Sequence, residues 1–491
     1  MLFLAWWAHV WLLHFFVLGS ISVDGFGYRG YALVELLQHG DVGAGRFTDW
    51  SLHGYTPFVE LANLPFLATL GLRGVMIGLP LAVFPLCVHA VFLCVRELAR
   101  SERAATLGAI AYCAMPMVNQ QPFAGYVDFA VTGLLAYAVY ALARLRTAWS
   151  ARGLVTLAFA VCMFTLSRTQ AFYLLCVLAP FVLYALRGLG RRKLLWIAVA
   201  VIAGCAPCLA LQAYRWIEWG SPVAPAQLEL LGMHIGRGAT MATYWLNAGL
   251  DGADTVSLLR SAVHGWLVHP IWPIGGFYAS GSMGAGLMFW FALALAPRAL
   301  RDATSFERWL LLGGVAASLL SKDYALPRYS YTTMLAMAIL VGRGLATARP
   351  RLGLALLVVM LLHGLRPEFD MVQLRSGYLG PRMNIGASPF YLRGGNVFIY
   401  PSGGYKLAII DDVSLPLRVY GRDLSNEVLM SIPHGALGAS CAGLAEVIRR
   451  EPNVLFVDEH DATTACSRTC VIHEPVICAA WRIVPGVPST P

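Results

Sequence analysis

Acids placed directly beside apolar runs, and cations set apart from acids, mark where this chain could do chemistry. Asp24 follows an apolar stretch and precedes Gly-Phe-Gly, then Tyr28 and Arg29. The glycines let the backbone bend closely around a substrate, which suits a carboxylate that takes a proton from a hydroxyl; a solvated loop acid or helix cap is the plainer alternative. Tyr55-Thr-Pro57-Phe-Val-Glu60 adds an aromatic and an acid to the same segment. Asp128, in Gly125-Tyr126-Val127-Asp128-Phe129, opens another apolar run. A charge there is costly in hydrocarbon, so it faces the protein interior or a wet cavity, or else caps a helix. Arg168 lies between two apolar runs with hardly any loop. Its guanidinium could fork onto phosphate oxygens or snorkel to an interface. Ser321-Lys322-Asp323-Tyr324-Ala-Leu-Pro327-Arg328-Tyr329 gathers cations and tyrosines in one short turn. Lys322 and Asp323 could simply pair with each other, whereas Arg328 has no near neighbour of opposite charge. His264 and His269, beside Trp and Pro, are possible ligands or structural residues.

The elements that position these residues are apolar helices. The chain has 491 residues, 58% hydrophobic and 13% charged, an apolar excess no soluble globular chain carries. Apolar stretches, several of them shorter than the roughly 18–20 residues a helix needs to cross a bilayer, fall at 2–19, 71–95, 104–121, 126–143, 153–166, 169–186, 194–216, 285–297, 309–321, 330–342 and 352–365. The expectation is a polytopic α-helical membrane protein of about eleven spans. The first stretch lacks a basic n-region and a small-x-small cleavage site, so it reads as a retained anchor. With the N-terminus cytoplasmic, the inside loops collect Arg96, Arg100, Arg103, Arg144, Arg146, Arg152, Arg187, Arg191, Arg192, Lys193, Arg298, Arg301, Arg308, Arg343, Arg349 and Arg351, as the positive-inside rule requires. The net charge of +9 therefore reports topology and not nucleic-acid binding.

That orientation puts the loops 20–70 and 218–284, and everything after about 366, on the outer face. In the first loop Leu33, Val34, Leu36 and Leu37 share a helical face, predicting a short amphipathic helix at the interface. Pro80 and Pro85 predict a kink in the second span. Residues 366–491 turn polar, with strand-like runs at Val397–Tyr400, Leu407–Ile410 and Val454–Val457 and helix-like runs near 423–431 and 440–451. This predicts a small α/β domain outside the membrane, after a transmembrane domain over 1–365. Cys87, Cys94, Cys113, Cys162, Cys176, Cys205 and Cys208 fall in apolar spans and read as packing residues. Cys441, Cys466, Cys470 and Cys478 are external and favour disulfides over a metal site. No Walker loop, strand-borne G-x-G-x-x-G, H-E-x-x-H or G-x-S-x-G occurs, so a cytoplasmic nucleotide donor has no support.

The order of Asp24, Tyr55-x-Pro57, Pro65, Tyr112 to Pro116, Tyr126-x-Asp128, Arg168, Trp219-Gly-Ser-Pro-Val-Ala-Pro225 and Arg328-Tyr329 resembles the GT-C class of membrane glycosyltransferases, in its bacterial dolichyl-phosphate-mannose and aminoarabinose transferase-like branch. The resemblance covers about 20–345. It implies an inner-membrane enzyme that moves a sugar from a polyprenyl-phosphate carrier to a periplasmic glycan, lipid or protein acceptor. Asp24 would be the base, Asp128 a second acid orienting the acceptor, and Arg168, Lys322 and Arg328 phosphate contacts. Tyr28, Arg29, Tyr55, Glu60, Tyr126, Asp323 and Tyr329 would line the substrate site, with no metal or other cofactor and no nucleic acid. The chain departs from the family where Gly25 follows Asp24 and where Gly220-Ser221-Pro222 replaces the usual Gly-Asn-Pro. Rival readings are an O-antigen polymerase or ligase and a lipid-linked sugar flippase. The flippase reading predicts inverted repeats or charges deep within several spans, and the sequence shows neither.

Overall fold

The computed structural model describes residues 30–40, 58–74, 77–115, 125–220, 228–230, 233–235, 287–301, 303–320, 330–362, 406–410, 424–432 and 455–458, with a few single positions between. Two compact units share the chain. One holds Met1–Leu13, Pro80–Pro122 and Val127–Leu374; the other holds His14–Leu79, Phe123–Tyr126 and Arg375–Pro491.

The first unit is helical: α3 (Phe84–Ala99), α4 (Glu102–Ala114), α5 (Asp128–Thr147), α6 (Ala151–Ser167), α7 (Thr169–Ala185), α8 (Arg191–Trp219), α9 (Met288–Arg301), α10 (Ser305–Leu320), α11 (Tyr331–Thr347) and α12 (Pro350–Leu362). Each apolar stretch predicted from 71 onward contains helix among its described residues, with ends shifted by a few positions; the stretch 2–19 lies outside the described residues. Leu79–Ala99, Asp128–Thr147 and Arg191–Ile217 are long and apolar enough to cross a membrane, and several shorter apolar helices accompany them. α8 turns Leu195, Ile202 and Ile217 outward at 64%, 65% and 78% exposure, a surface suited to lipid and not to water. Gly220, at φ 69°, closes α8 in the left-handed conformation that terminates helices. Pro80 lies in a π-helical turn, Leu79–Val83, that leads into α3, consistent with the predicted kink because proline removes a backbone donor.

α11 is the central element, packed against α3, α4, α5, α9 and α10. Small residues allow the closest approach: a Cβ on Gly342 would lie 2.6 Å from the Ala104 carbonyl oxygen and 2.8 Å from Gly108 Cα. Both obstacles are backbone. At the far end of α11 from Tyr331, the Arg343 Nη1 donates to Glu307 Oε2 at 2.5 Å. Glu307 also accepts from the Thr304 amide at 2.7 Å while Thr304 Oγ1 accepts from the Glu307 amide at 3.3 Å. This is a capping box that starts α10. Cys87, Cys94, Cys113, Cys205 and Cys208 are buried free thiols, Cys162 is half-buried and Cys176 exposed; Cys441, Cys466, Cys470 and Cys478 lie outside the described residues. A short antiparallel pair, β1 (Leu228–Leu230) and β2 (Met233–Ile235), follows α8.

The second unit contains α1 (Gly30–His39) and α2 (Leu64–Leu70), joined to a 3-10 turn at Glu60–Asn63. In α1, Leu33 and Val34 are buried as the pattern predicts, but Leu37 is 40% exposed and Glu35 is fully buried. The helix packs on α2 and the Glu60–Asn63 turn, so its buried face is set by those neighbours. Gln38 Nε2 donates to the carbonyls of Leu424 and Asn426 at 2.7 and 2.9 Å. Three parallel strands complete the unit in the order β4-β3-β5: β3 (Lys406–Ile410), β4 (Glu427–Ile432) and β5 (Leu455–Asp458). The run at 423–431, expected to be helical, is therefore strand from Glu427. Pairing with β3 overrides local propensity there. β3 and β5 coincide with predicted strands, while Val397–Tyr400 lies outside the described residues. Lys406 Nζ donates to Glu451 Oε1 at 2.6 Å, and that carboxylate raises the Lys406 pKa above its ordinary value.

The Gly342 contact is testable. Gly342→Ala is expected to destabilise by about 1–3 kcal/mol through overpacking, measured as a lower unfolding midpoint of the purified protein. Gly353→Ala, whose Cβ would meet only the Leu345 carbonyl oxygen at 3.5 Å, is expected to stabilise by up to about 1 kcal/mol, the helix-propensity gain of Ala over Gly.

Candidate functional site

The site is built on a backbone that side chains hold from both sides. Val127, the residue before α5, supplies no side-chain cap. Gln121 substitutes for one: its Oε1 accepts from the Phe129 amide at 2.5 Å. Tyr112, at 0% exposure, donates its hydroxyl to the Phe129 carbonyl at 2.5 Å. The Phe129 ring meets Phe84 edge-on with centroids 5.7 Å apart. The start of α5 is thus fixed, and with it the direction of Asp128.

Arg168 is the one residue between α6 and α7, extended at φ −160° and ψ 149°, so it ends one helix and precedes the next. That backbone directs its side chain at α5. Nη1 donates to Asp128 Oδ1 at 2.5 Å, to the Tyr331 hydroxyl at 3.0 Å and to Gln170 Oε1 at 3.4 Å. The Tyr331 hydroxyl lies 3.0 Å from Asp128 Oδ1, to which it donates. Asp128, Tyr331 and Arg168 are 0%, 1% and 6% exposed. Asp128 is the first residue of α5, Arg168 precedes α7 and Tyr331 is the first residue of α11. Three helix N-termini therefore meet at one buried ion pair. Each N-terminus carries roughly half a positive charge. The pair itself is neutral, so the local field favours an anion nearby.

The structure brings Asp128 and Arg168 together, although the sequence suggested separate partners for them. Glu60, buried, and Tyr126, half-buried, belong to the second unit. Asp24, Tyr28, Arg29, Tyr55, Lys322, Asp323, Arg328 and Tyr329, with His264 and His269, lie outside the described residues. Sequence reasoning passed over Tyr331, Gln121 and Gln170. The available signal was a polar residue in the first turn of an apolar run, which is weak by itself. Among the described residues no group of three or more His, Cys, Asp or Glu is placed to hold a metal.

No family model matches the sequence, and neither does any protein of curated function. Solved structures do resemble it. The oligosaccharyltransferase of Archaeoglobus fulgidus, tethered to an acceptor peptide, matches at TM-score 0.51 and 14% identity, over 97% of this chain and 71% of that one. The same enzyme with Zn and sulfate matches at 0.52 and 14%, over 98% and 70%. ArnT from Cupriavidus metallidurans bound to undecaprenyl phosphate gives 0.48 and 14%, over 99% and 88%. The likeness to the oligosaccharyltransferase shows the fold: this chain has the GT-C fold.

Because the ion pair is buried, its members are interdependent. Arg168→Met is expected to destabilise by about 3–5 kcal/mol by leaving the Asp128 carboxylate uncompensated. Asp128→Asn combined with Arg168→Met should recover much of that loss in chemical unfolding. Additive losses would contradict the pairing.

Proposed function

We propose that this chain, a membrane protein with the GT-C fold, transfers a sugar from a polyprenyl-phosphate carrier to an envelope glycan, lipid or protein acceptor on the periplasmic face of the bacterial inner membrane. One observation carries the reading: a buried acid held by Arg168 and Tyr331 where three helix N-termini converge. Such a field favours a phosphate nearby. Connectivity supplies cations for it. Arg328 precedes Tyr331 by three residues, a chain length that spans at most about 11 Å, and Lys322 belongs to the same turn.

The proposed reaction is a single inverting displacement. Asp24 takes the proton of the acceptor hydroxyl, whose oxygen bonds to the anomeric carbon as the bond from that carbon to the phosphate oxygen breaks. The electron pair leaves with the polyprenyl phosphate, stabilised by Lys322 and Arg328. Asp128 orients a substrate hydroxyl, and Arg168 positions Asp128 and adds its charge to the field around the phosphate. Tyr28, Arg29, Tyr55, Glu60, Tyr126, Asp323 and Tyr329 surround the sugar. About eleven spans over 1–365 and a periplasmic α/β domain over 366–491 complete the proposed architecture.

The purified protein in lipid nanodiscs, offered a panel of radiolabelled polyprenyl-phosphate sugars and envelope acceptors, should release free polyprenyl phosphate. Asp24→Asn should slow that release by about 10²–10⁴-fold, the usual contribution of a positioned base. Full turnover by the variant would remove Asp24 from the role. Passage of labelled lipid across the bilayer with its sugar-phosphate bond intact would replace the transferase with a flippase, and transfer of whole oligosaccharides would favour the polymerase or ligase.

A further inference from the structure

The Asp128 carboxylate is used unevenly. Oδ1 accepts from Arg168 and Tyr331, while Oδ2 of the same buried group accepts no hydrogen bond among the described residues. Gln121 shows the complementary asymmetry. Its Oε1 accepts from the Phe129 amide, and its Nε2, equally buried, donates to nothing among the described residues. The Gln121 amide cannot be turned round, because its NH2 would then face the Phe129 N–H, donor against donor. Gln121 lies outside α5, but its bond to the Phe129 amide sets its side chain beside the first turn of that helix, where Asp128 stands.

A buried donor and a buried acceptor are each costly when left unmet. The group that answers both must accept from an amide N–H and donate to a carboxylate. A carbonyl cannot donate, an ammonium cannot accept, and an ionised phosphate has no proton to give the acid. An alcohol hydroxyl does both. We propose that Gln121 Nε2 and Asp128 Oδ2 together bind one hydroxyl of the carbohydrate substrate, Gln121 donating to its oxygen and Asp128 accepting its proton. The inference rests on the transferase reading and deepens it. Gln121 becomes a specificity residue, while Arg168 and Tyr331 hold Asp128 so that Oδ2 faces the ligand.

The hydroxyl could belong to the donor sugar or to the acceptor, and the test separates them. The probes are whichever polyprenyl-phosphate sugar and acceptor the wild type turns over, with their monodeoxy analogues. Removing the recognised hydroxyl should lower kcat/KM at least about tenfold, because the site's polar atoms are then left unpaired. A deoxy donor showing this assigns the site to the donor; a deoxy acceptor assigns it to the acceptor. Gln121→Met removes the amide donor, and Gln121→Glu removes it while keeping an oxygen for the Phe129 N–H. Both should bring the parent compound and that one analogue to within about twofold of each other, leaving discrimination at other positions unchanged. Circular dichroism and the unfolding midpoint establish that each variant is folded. Undiminished discrimination in folded Gln121→Met and Gln121→Glu, or no discriminated position in wild type, overturns the proposal and leaves the pair holding structural water, with the transferase intact. A wild type inert on every lipid-linked sugar overturns both.

Discussion

Burying a carboxylate at the mouth of an apolar helix bundle is costly unless a fixed cation sits beside it, and the Asp128–Arg168 pair is the constraint around which the helical unit is arranged. Desolvating both charges is costly, and the attraction between them offsets that only when the geometry is good. The surroundings enforce it. Tyr112 and Gln121 fix the backbone beneath Asp128, the extended residue between α6 and α7 aims Arg168, and the first side chain of α11 contributes the Tyr331 hydroxyl. Each support comes from a different helix or helix end, so the pair also ties α5, α7 and α11 together.

The other end of α11 repeats the device with different parts. Arg343 pairs with Glu307, and Glu307 in turn closes the capping box of α10. Twelve residues separate Tyr331 from Arg343, about 18 Å along the helix. The stretch between is apolar from Met334 through Val341 and buried except at Leu340, which is half-buried. A helix held by ions at both ends and packed through Gly342 has little freedom to slide. That rigidity is what a site requiring fixed donors needs from its scaffold.

Much of this was legible in the sequence, and the parts that were not share a cause. Apolar runs located the helices because hydrophobic length is a local property. Asp128 and Arg168 stood out because a charge inside such a run is anomalous wherever it points. Their partners were hidden: Arg168 meets Asp128 across forty positions and Tyr331 meets it across 203, distances at which no periodicity speaks. The error at Glu427–Ile432 is of the same kind, since its strand exists through pairing with Lys406–Ile410. Glu35, flanked by the leucines and valine of α1's apolar stripe, is buried with them, because α2 and the Glu60–Asn63 turn cover more of α1 than that stripe.

The neutrality of the ion pair explains how an acid can serve beside a phosphate. An unpaired Asp128 would repel the leaving group of the proposed reaction and work against its own enzyme. With the charge of Arg168 set against it, the pair sums to zero, and the three helix N-termini still contribute roughly half a positive charge each. The carboxylate then keeps a strong short-range acceptor at Oδ2 for a hydroxyl, while the longer-range field continues to favour the phosphate. Short-range recognition and long-range attraction are thereby assigned to different parts of one cluster. The residue that makes this compatible is Arg168, acting through the acid it holds.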